Sequence, residues 1–398
     1  MLQTKLRELT LSEMAPRVMQ SEIRAMTAEC ERMGGVNLAQ GVCDTEVPEV
    51  VLEGAERAMR EGHNIYTRME GIPRLRRGIA TKLDRMQGLS VDPEREVLIT
   101  SGATGGFHAA AMALLNPGDE VIVFEPLYGY HVSTLRAMRC VAVPVSMEDT
   151  GSGWKLDLAA VREAVTLRTR AIVVNSPSNP AGKVFTRAEL EGLAEIAREH
   201  ELFVFTDEIY EHFIYGDAKH ISVATLEGMR ERTILMSGFS KTFSVTGWRV
   251  GYLVADVRWL PAIAYFHDLI YVCAPAPLQH GCAEGVEKLG QAFYTRLAVD
   301  HEVKRGMLVE ALREAGMRPH VPDGAYYILA DASGIPGTTA SVKARKLLEI
   351  TGVAAVSGSA FFRQGSGEDL LRFCFAKKDA DLEEACRRLR CLADGRAL

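Results

Sequence analysis

The sequence predicts an α/β protein, with a mainly parallel sheet in a large domain and a smaller α+β domain built from both chain ends. Three observations carry this. Through the middle of the chain, short apolar runs rich in Val, Ile and Leu alternate with helical patterns. Continuous rather than alternating runs are what strands covered on both faces require, and strand–helix–strand succession favours parallel pairing. A long amphipathic pattern over 288–316 then separates this middle from shorter elements near the C-terminus.

In chain order, the predicted strands of the large domain are Glu96–Thr100, Glu120–Phe124, Val141–Val145, Ala171–Asn175, Leu202–Thr206, Thr233–Met236 and Val250–Ala255. Helices are predicted between them at Gly105–Leu115, Leu127–Met138, Asp157–Ala164 and Arg187–His200, and Asn116-Pro117-Gly118-Asp119 reads as a turn. The pattern over 288–316 reads as one helix ending near Gly316. Tyr326–Leu329 and Leu371–Phe375 then read as strands, and 379–393 as a terminal helix. The Gly/Ser/Thr-rich pieces at 332–341 and 364–367 read as loops. The N-terminal 12–50 is expected to pack on the C-terminal unit. The expected domains are thus 51–290 for the large one, and 1–50 with 291–398 for the small one.

The 398 residues are 47% apolar and 25% charged, a composition that supports a large core and two domains. A net charge of −6 and the lack of a long basic run argue against nucleic-acid binding. The clusters Arg74-Leu75-Arg76-Arg77 and Arg387-Arg388 lie in helical text and read as solvated faces. Eight cysteines without a C-x-x-C pair indicate neither a zinc site nor a disulfide framework, and fit thiols in a reducing compartment. The start, Met1 to Glu8, has no apolar signal core, and no run approaches ~18 apolar residues. A cytoplasmic protein without a membrane span is expected.

Five segments point to chemistry. In Ser237-Gly238-Phe239-Ser240-Lys241-Thr242-Phe243-Ser244-Val245-Thr246-Gly247-Trp248-Arg249, a lysine follows a strand among small hydroxyl and glycine residues. A Schiff-base lysine needs a desolvated pocket, and a cofactor phosphate needs N–H groups, hydroxyls and a guanidinium. Taken alone, the segment is equally a plain loop. In Thr206-Asp207-Glu208-Ile209-Tyr210, a carboxylate ends an apolar strand, where α/β sheets bind ligands. Asp207 there can pair with a pyridinium nitrogen, and Tyr210 can reach the ring's 3-oxygen. The competing reading makes Asp207 a helix cap.

Asn175-Ser176-Pro177-Ser178-Asn179-Pro180-Ala181-Gly182 is a proline-fixed loop whose Asn179 can donate to a ring oxygen; alone it is only a turn. Ser101-Gly102-Ala103-Thr104-Gly105-Gly106 joins a strand to a helix whose N-terminus can hold phosphate. It is not G-x-G-x-x-G and no P-loop lysine follows, so a nucleotide site is a poor reading. Beyond the next strand, Tyr128 can stack on a ring, with core packing as the alternative. In Leu371-Arg372-Phe373-Cys374-Phe375, an arginine fork suits an α-carboxylate, although an edge-strand arginine facing solvent is the more ordinary reading.

As an ordered set these segments resemble the fold-type I pyridoxal phosphate (PLP) enzymes, specifically the class I/II aminotransferases, over nearly the whole chain. The order includes Gly41 in Leu38-Ala39-Gln40-Gly41 and Tyr66-Thr67 before Gly71-Ile72-Pro73. The resemblance implies that Lys241 holds PLP and acts as base and acid. It implies that Asp207 pairs with the ring nitrogen, that Tyr210 and Asn179 bond the 3-oxygen, and that Tyr128 stacks on the ring. Arg249 and the backbone of Gly102, Ala103 and Thr104 would hold the phosphate, with the Thr104 hydroxyl as a further candidate. Tyr66 would reach it from a second subunit, making a homodimer with shared sites. Arg372 would bind the substrate carboxylate, aided by Asn179 and the Gly41 backbone.

Where many relatives carry serine three residues before the lysine, this chain has Gly238, which leaves Ser237 and Ser240 as candidates for the phosphate hydroxyl. Where some aspartate-specific relatives carry a lysine in the glycine turn, this chain has Thr104, and Arg68 is a candidate second cation with a surface role as its alternative. The expected reaction is transamination between an L-amino acid, neutral, sulfur-containing or aromatic, and a 2-oxo acid. Carbon–sulfur β-elimination and aspartate transamination are the alternatives within the family. A non-catalytic PLP-binding regulator is disfavoured by the intact Lys241, Asp207 and Arg372.

Overall fold

The computed structural model describes residues 9–15, 22–151, 153–363 and 365–392. The start Met1 to Glu8, residue 364 of the expected loop 364–367 and residue 393 of the expected terminal helix lie outside them.

Seven strands form the large sheet: β1 (Val97–Thr100), β2 (Glu120–Glu125), β3 (Val141–Ser146), β4 (Thr169–Asn175), β5 (Phe203–Asp207), β6 (Thr233–Gly238) and β7 (Gly251–Val254). Their spatial order is β1-β7-β6-β5-β4-β2-β3. Pairings among β2 to β6 are parallel, so the sheet is mainly parallel, as predicted. β7 runs antiparallel to both β1 and β6. The connection 239–250 contains no α-helix to carry the chain across the sheet, so the strand turns back beside β6. The Val/Ile-rich runs are buried along their whole length in β1, β2, β5 and β6, because helices cover both faces.

The helix Gly102–Leu114 begins three residues earlier than predicted, since Gly102 and Gly105, poor helix formers, lie inside it. The helices Gly129–Ala137, Leu158–Glu163 and Arg187–Glu199 match their expected places. A capping box, Thr186 with Glu189, opens the last of these.

The long pattern is the helix Gln291–Glu314. Beyond it, β8 (Arg318–Pro319), β9 (Tyr327–Asp331), β10 (Val356–Ser357) and β11 (Leu370–Cys374) make an antiparallel sheet in the order β8-β9-β11-β10. The N-terminal segment joins this unit: Val36–Asn37 pairs with Val353–Ala354, and the Cys374 N–H donates to the Leu38 carbonyl at 2.8 Å. All eight cysteines are free. No helix among the described residues is long and apolar enough to cross a membrane.

Candidate active site

Parallel strands deliver their C-terminal ends to one edge of the sheet. The register pairs Asn175 with Asp207 and Asp207 with Met236, so the loop after β4, the turn after β5 and the lysine segment after β6 emerge side by side. The segment 38–41 reaches the same edge through its bond to β11. The Lys241 Nζ donates to the Gly41 carbonyl at 3.0 Å and lies 5.8 Å from the centre of the Tyr326 ring. Burial pushes its pKa down to about 8.

Asp207 closes β5 and is buried. Its Oδ2 accepts from His131 Nε2 at 3.1 Å, and its Oδ1 accepts from the Ile209 N–H at 3.3 Å. His131 packs 4.5 Å from Phe107 and edge-on to Tyr128 at 5.1 Å, measured between ring centres. It was not foreseen in the sequence; the available signal was its place three residues beyond Tyr128, in the first turn of the helix that Tyr128 precedes. The hydroxyls of Tyr210 and Tyr327 lie 2.9 Å apart. Burial raises both phenol pKa values, that of Tyr327 to about 12, so both remain O–H groups at neutral pH.

Arg372 stands on β11, fully buried, which removes the solvent-facing reading. Its Nη1 donates to Asn179 Oδ1 at 3.0 Å and its Nη2 to the Ala39 carbonyl at 2.6 Å. The rings of Tyr327 and Phe361 flank the guanidinium at 4.5 and 4.9 Å. Its Nε has no partner among the described residues. A buried guanidinium facing only neutral acceptors is a charge awaiting an anion.

The glycine turn is clamped from two sides. Gly102 has φ +69°, and a Cβ there would fall 2.3 Å from Arg249 Nη2. A Cβ on Gly251 would fall 2.6 Å from the Gly102 carbonyl carbon. Only glycine at both places lets β7 and the guanidinium lie against the turn. No side chain caps the helix that starts there, which leaves its first N–H groups available to an anion. Ala103 is half-buried and Thr104 exposed.

The two candidate serines separate. The Ser237 Oγ donates to Glu211 Oε1 at 2.8 Å and lies 3.3 Å from the Glu208 carbonyl, so the structure removes it from the phosphate. Alternation along β6 turns that side chain into a buried network with Lys82 and Tyr252. Ser240 is buried, and its hydroxyl makes no hydrogen bond among the described residues. A serine at Gly238 has no room, because a Cβ there would lie 2.9 Å from the Gly251 Cα across the β6–β7 pair. Tyr66 is 77% exposed and is not brought to the cluster within one chain. Arg68 is exposed and paired with Glu70 at 3.3 Å and Glu94 at 4.0 Å, so it takes the surface role.

The cluster fits PLP. It has a desolvated lysine, a buried carboxylate, a clamped helix N-terminus under a guanidinium, and a second guanidinium with an unpartnered Nε.

Residues 34–389 match the family described as aminotransferase class I and II. The chain is 36% identical to a probable N-succinyldiaminopimelate aminotransferase, DapC, of Mycobacterium tuberculosis, over 93% of this chain and 95% of that protein. The solved structure of N-succinyldiaminopimelate aminotransferase from Mycobacterium tuberculosis superposes with a TM-score of 0.93 at 36% identity, covering 97% of this chain and all of that one. YbdL of Escherichia coli, identified with a methionine aminotransferase function, superposes at 0.92 with 30% identity, covering 97% of this chain and 100% of that one. Kynurenine–oxoglutarate transaminase 3 of Mus musculus is 33% identical over 88% of this chain and 83% of its own length. With the cluster's geometry, these matches make the chain a member of the class I and II aminotransferases, the PLP-dependent transaminases of fold type I.

Proposed function

We propose that this transaminase exchanges amino and oxo groups between a neutral, sulfur-containing or aromatic L-amino acid and a 2-oxo acid. The observation that carries the reading is the surroundings of Arg372. One buried guanidinium stands ready for one carboxylate, and its other neighbours are the rings of Tyr327 and Phe361. Every other buried lysine or arginine among the described residues has a protein partner, apart from Lys241 with its lone bond to the Gly41 carbonyl. Within one chain, a second carboxylate would therefore enter an aromatic wall without a buried countercharge, which is costly. The kynurenine and methionine functions named for two similar proteins support the same choice.

PLP supplies an electron sink for the negative charge that develops at the substrate Cα. Lys241 would hold it covalently and carry the Cα proton, a task suited to an amine with a pKa of about 8. Asp207, steadied by His131, would keep the ring nitrogen protonated. Tyr210 and Asn179 would donate to the 3-oxygen, and Tyr128 would stack on the ring. The N–H groups of Gly102, Ala103 and Thr104, with Arg249 and Ser240, would hold the phosphate. Arg372 and Asn179 would orient the substrate carboxylate beside the Gly41 backbone.

A homodimer completes the site in this reading. Ile65 and Tyr66 are 80% and 77% exposed, and Tyr265, Leu269 and Ile270 form a further exposed apolar face. A second copy would cover them and bring its Tyr66 to the phosphate. The chain would divide into a cofactor-holding unit at 51–290 and a substrate-closing unit from 1–50 and 291–398.

The test mixes the PLP-loaded enzyme with single amino acids and follows the cofactor's visible band. Methionine, phenylalanine, tyrosine and kynurenine are expected to bleach it faster than aspartate or N-succinyldiaminopimelate. Faster bleaching by either of the last two overturns the substrate assignment. A persistent band with pyruvate accumulating from a thioether substrate identifies β-elimination instead.

A further inference from the structure

Beneath the glycine turn lies a histidine with no place in the reaction above. His267 stands on the helix Leu260–Tyr271 and is fully buried. Its Nε2 lies 2.9 Å from the Ser101 backbone nitrogen. A backbone N–H can only donate, so Nε2 accepts, and the ring is neutral with its proton on Nδ1. Burial pushes its pKa down to about 4, which keeps it neutral. The Nδ1 has no partner among the described residues. As a filler such a ring is unfavourable, because an apolar side chain fills similar space without stranding an N–H. What the imidazole supplies, and leucine or phenylalanine does not, is an acceptor for Ser101.

Ser101 is the N-cap of the helix Gly102–Leu114 and immediately precedes Gly102. Fixing its N–H fixes the plane of the peptide that leads into the turn. Thr100 Oγ1, donating to the Gly102 carbonyl at 2.9 Å, fixes the next carbonyl. Tyr271, one helical turn beyond His267 and 5.0 Å from it between ring centres, supports the turn at a second point. A Cβ on Gly105 would lie 3.3 Å from the Tyr271 ring. One helix thus braces the turn at Ser101 and Gly105.

We propose that His267 is a positioning residue for the cofactor phosphate, holding the glycine turn so that the N–H groups of Gly102, Ala103 and Thr104 converge on it. The proposal rests on the phosphate assignment made under the proposed function.

The test titrates the apo-protein with PLP and, separately, with pyridoxal, which lacks the phosphate. His267→Phe is expected to weaken PLP binding by about tenfold or more and to leave pyridoxal binding unchanged. His267→Asn and His267→Gln carry a carbonyl acceptor and are expected to recover most of the loss. His267→Leu serves as a second apolar variant, and only variants whose apo-protein melts with the unsubstituted one are compared. Unchanged PLP affinity in the apolar variants, or equal weakening of both ligands, overturns the proposal. If the unsubstituted protein binds pyridoxal as tightly as PLP, the phosphate assignment itself falls and takes the proposal with it.

Discussion

Arg372 on the small sheet and Asn179 in the loop after β4 are joined by a 3.0 Å hydrogen bond from Nη1 to Oδ1. The link continues, because the Asn179 N–H donates to Asn175 Oδ1 at 2.8 Å and Asn175 Nδ2 donates to the Asp207 carbonyl at 3.0 Å. The group assigned to the substrate carboxylate is thus tied to the one assigned to the ring nitrogen.

Arg372→Ala removes a fork that no neighbouring cation replaces. The expected loss is about 2–4 kcal/mol of charge-assisted bonding, seen as a rise in KM for α-carboxylate substrates. PLP affinity is expected to change less than KM, since Arg372 touches none of the residues assigned to the phosphate and meets the cofactor set only through Asn179. Steady-state kinetics and a PLP titration check both halves, and an unchanged KM removes Arg372 from the site.

Lys241→Ala is expected to abolish both the visible band of the bound cofactor and turnover; near-normal turnover would overturn the mechanism. Lys241→Met tests the buried ammonium itself. An amine with a lowered folded pKa binds fewer protons folded than unfolded between about 8 and the ordinary lysine value of ~10.4. It therefore destabilises the apo-protein fully below about pH 8, and the penalty fades as pH rises through that window. Lys241→Met should raise apo-protein stability at pH 7 by about 1–3 kcal/mol, with the gain shrinking toward pH ~10. Urea melts at the two pH values check this, and a gain that grows with pH would contradict the burial argument.

Much of this was legible locally. Val/Ile runs marked the strands, and the candidate lysine and aspartate were singled out by their place at or just after strand ends, the candidate arginine by its place within a strand. Pairing direction was not legible: nothing within Gly251–Val254 tells that it runs against its neighbours. Ser237 misled because one residue of register decides whether a hydroxyl meets the site or the Glu211 network. His131 and His267 were silent because each acts on a residue far along the chain, Asp207 and Ser101 respectively. The departure at Gly238 became intelligible only with its cross-strand neighbour Gly251 in place.

Asp207→Asn keeps the side chain's shape and removes its charge. If the carboxylate holds the ring nitrogen protonated, kcat should fall by roughly 30- to 150-fold, corresponding to about 2–3 kcal/mol for a lost charged bond. His131 can still donate to the amide oxygen, so the fold and PLP binding should survive. Single-turnover rates with one good donor are the measurement, and a rate within about twofold of the unsubstituted enzyme would show that Asp207 does not act on the ring.

Behind the Asp207–Tyr210 turn, Lys82 and Glu211 form a buried ion pair that also engages Tyr252, Ser237 and Gln87. Burial acts to raise the Glu211 pKa, but the Lys82 ammonium overrides it and holds the carboxyl well below its usual range. Lys82→Met strands that carboxylate in the core, and should cost about 3–5 kcal/mol of stability at neutral pH. Glu211→Leu alone strands the ammonium and should cost a similar amount. The double variant Lys82→Met/Glu211→Leu removes both charges, so its loss should be far smaller than the sum of the two. Urea denaturation of the four proteins closes the cycle. Additive losses would mean that the two groups are solvated independently, and that the turn carrying Asp207 and Tyr210 is braced by packing rather than by this pair.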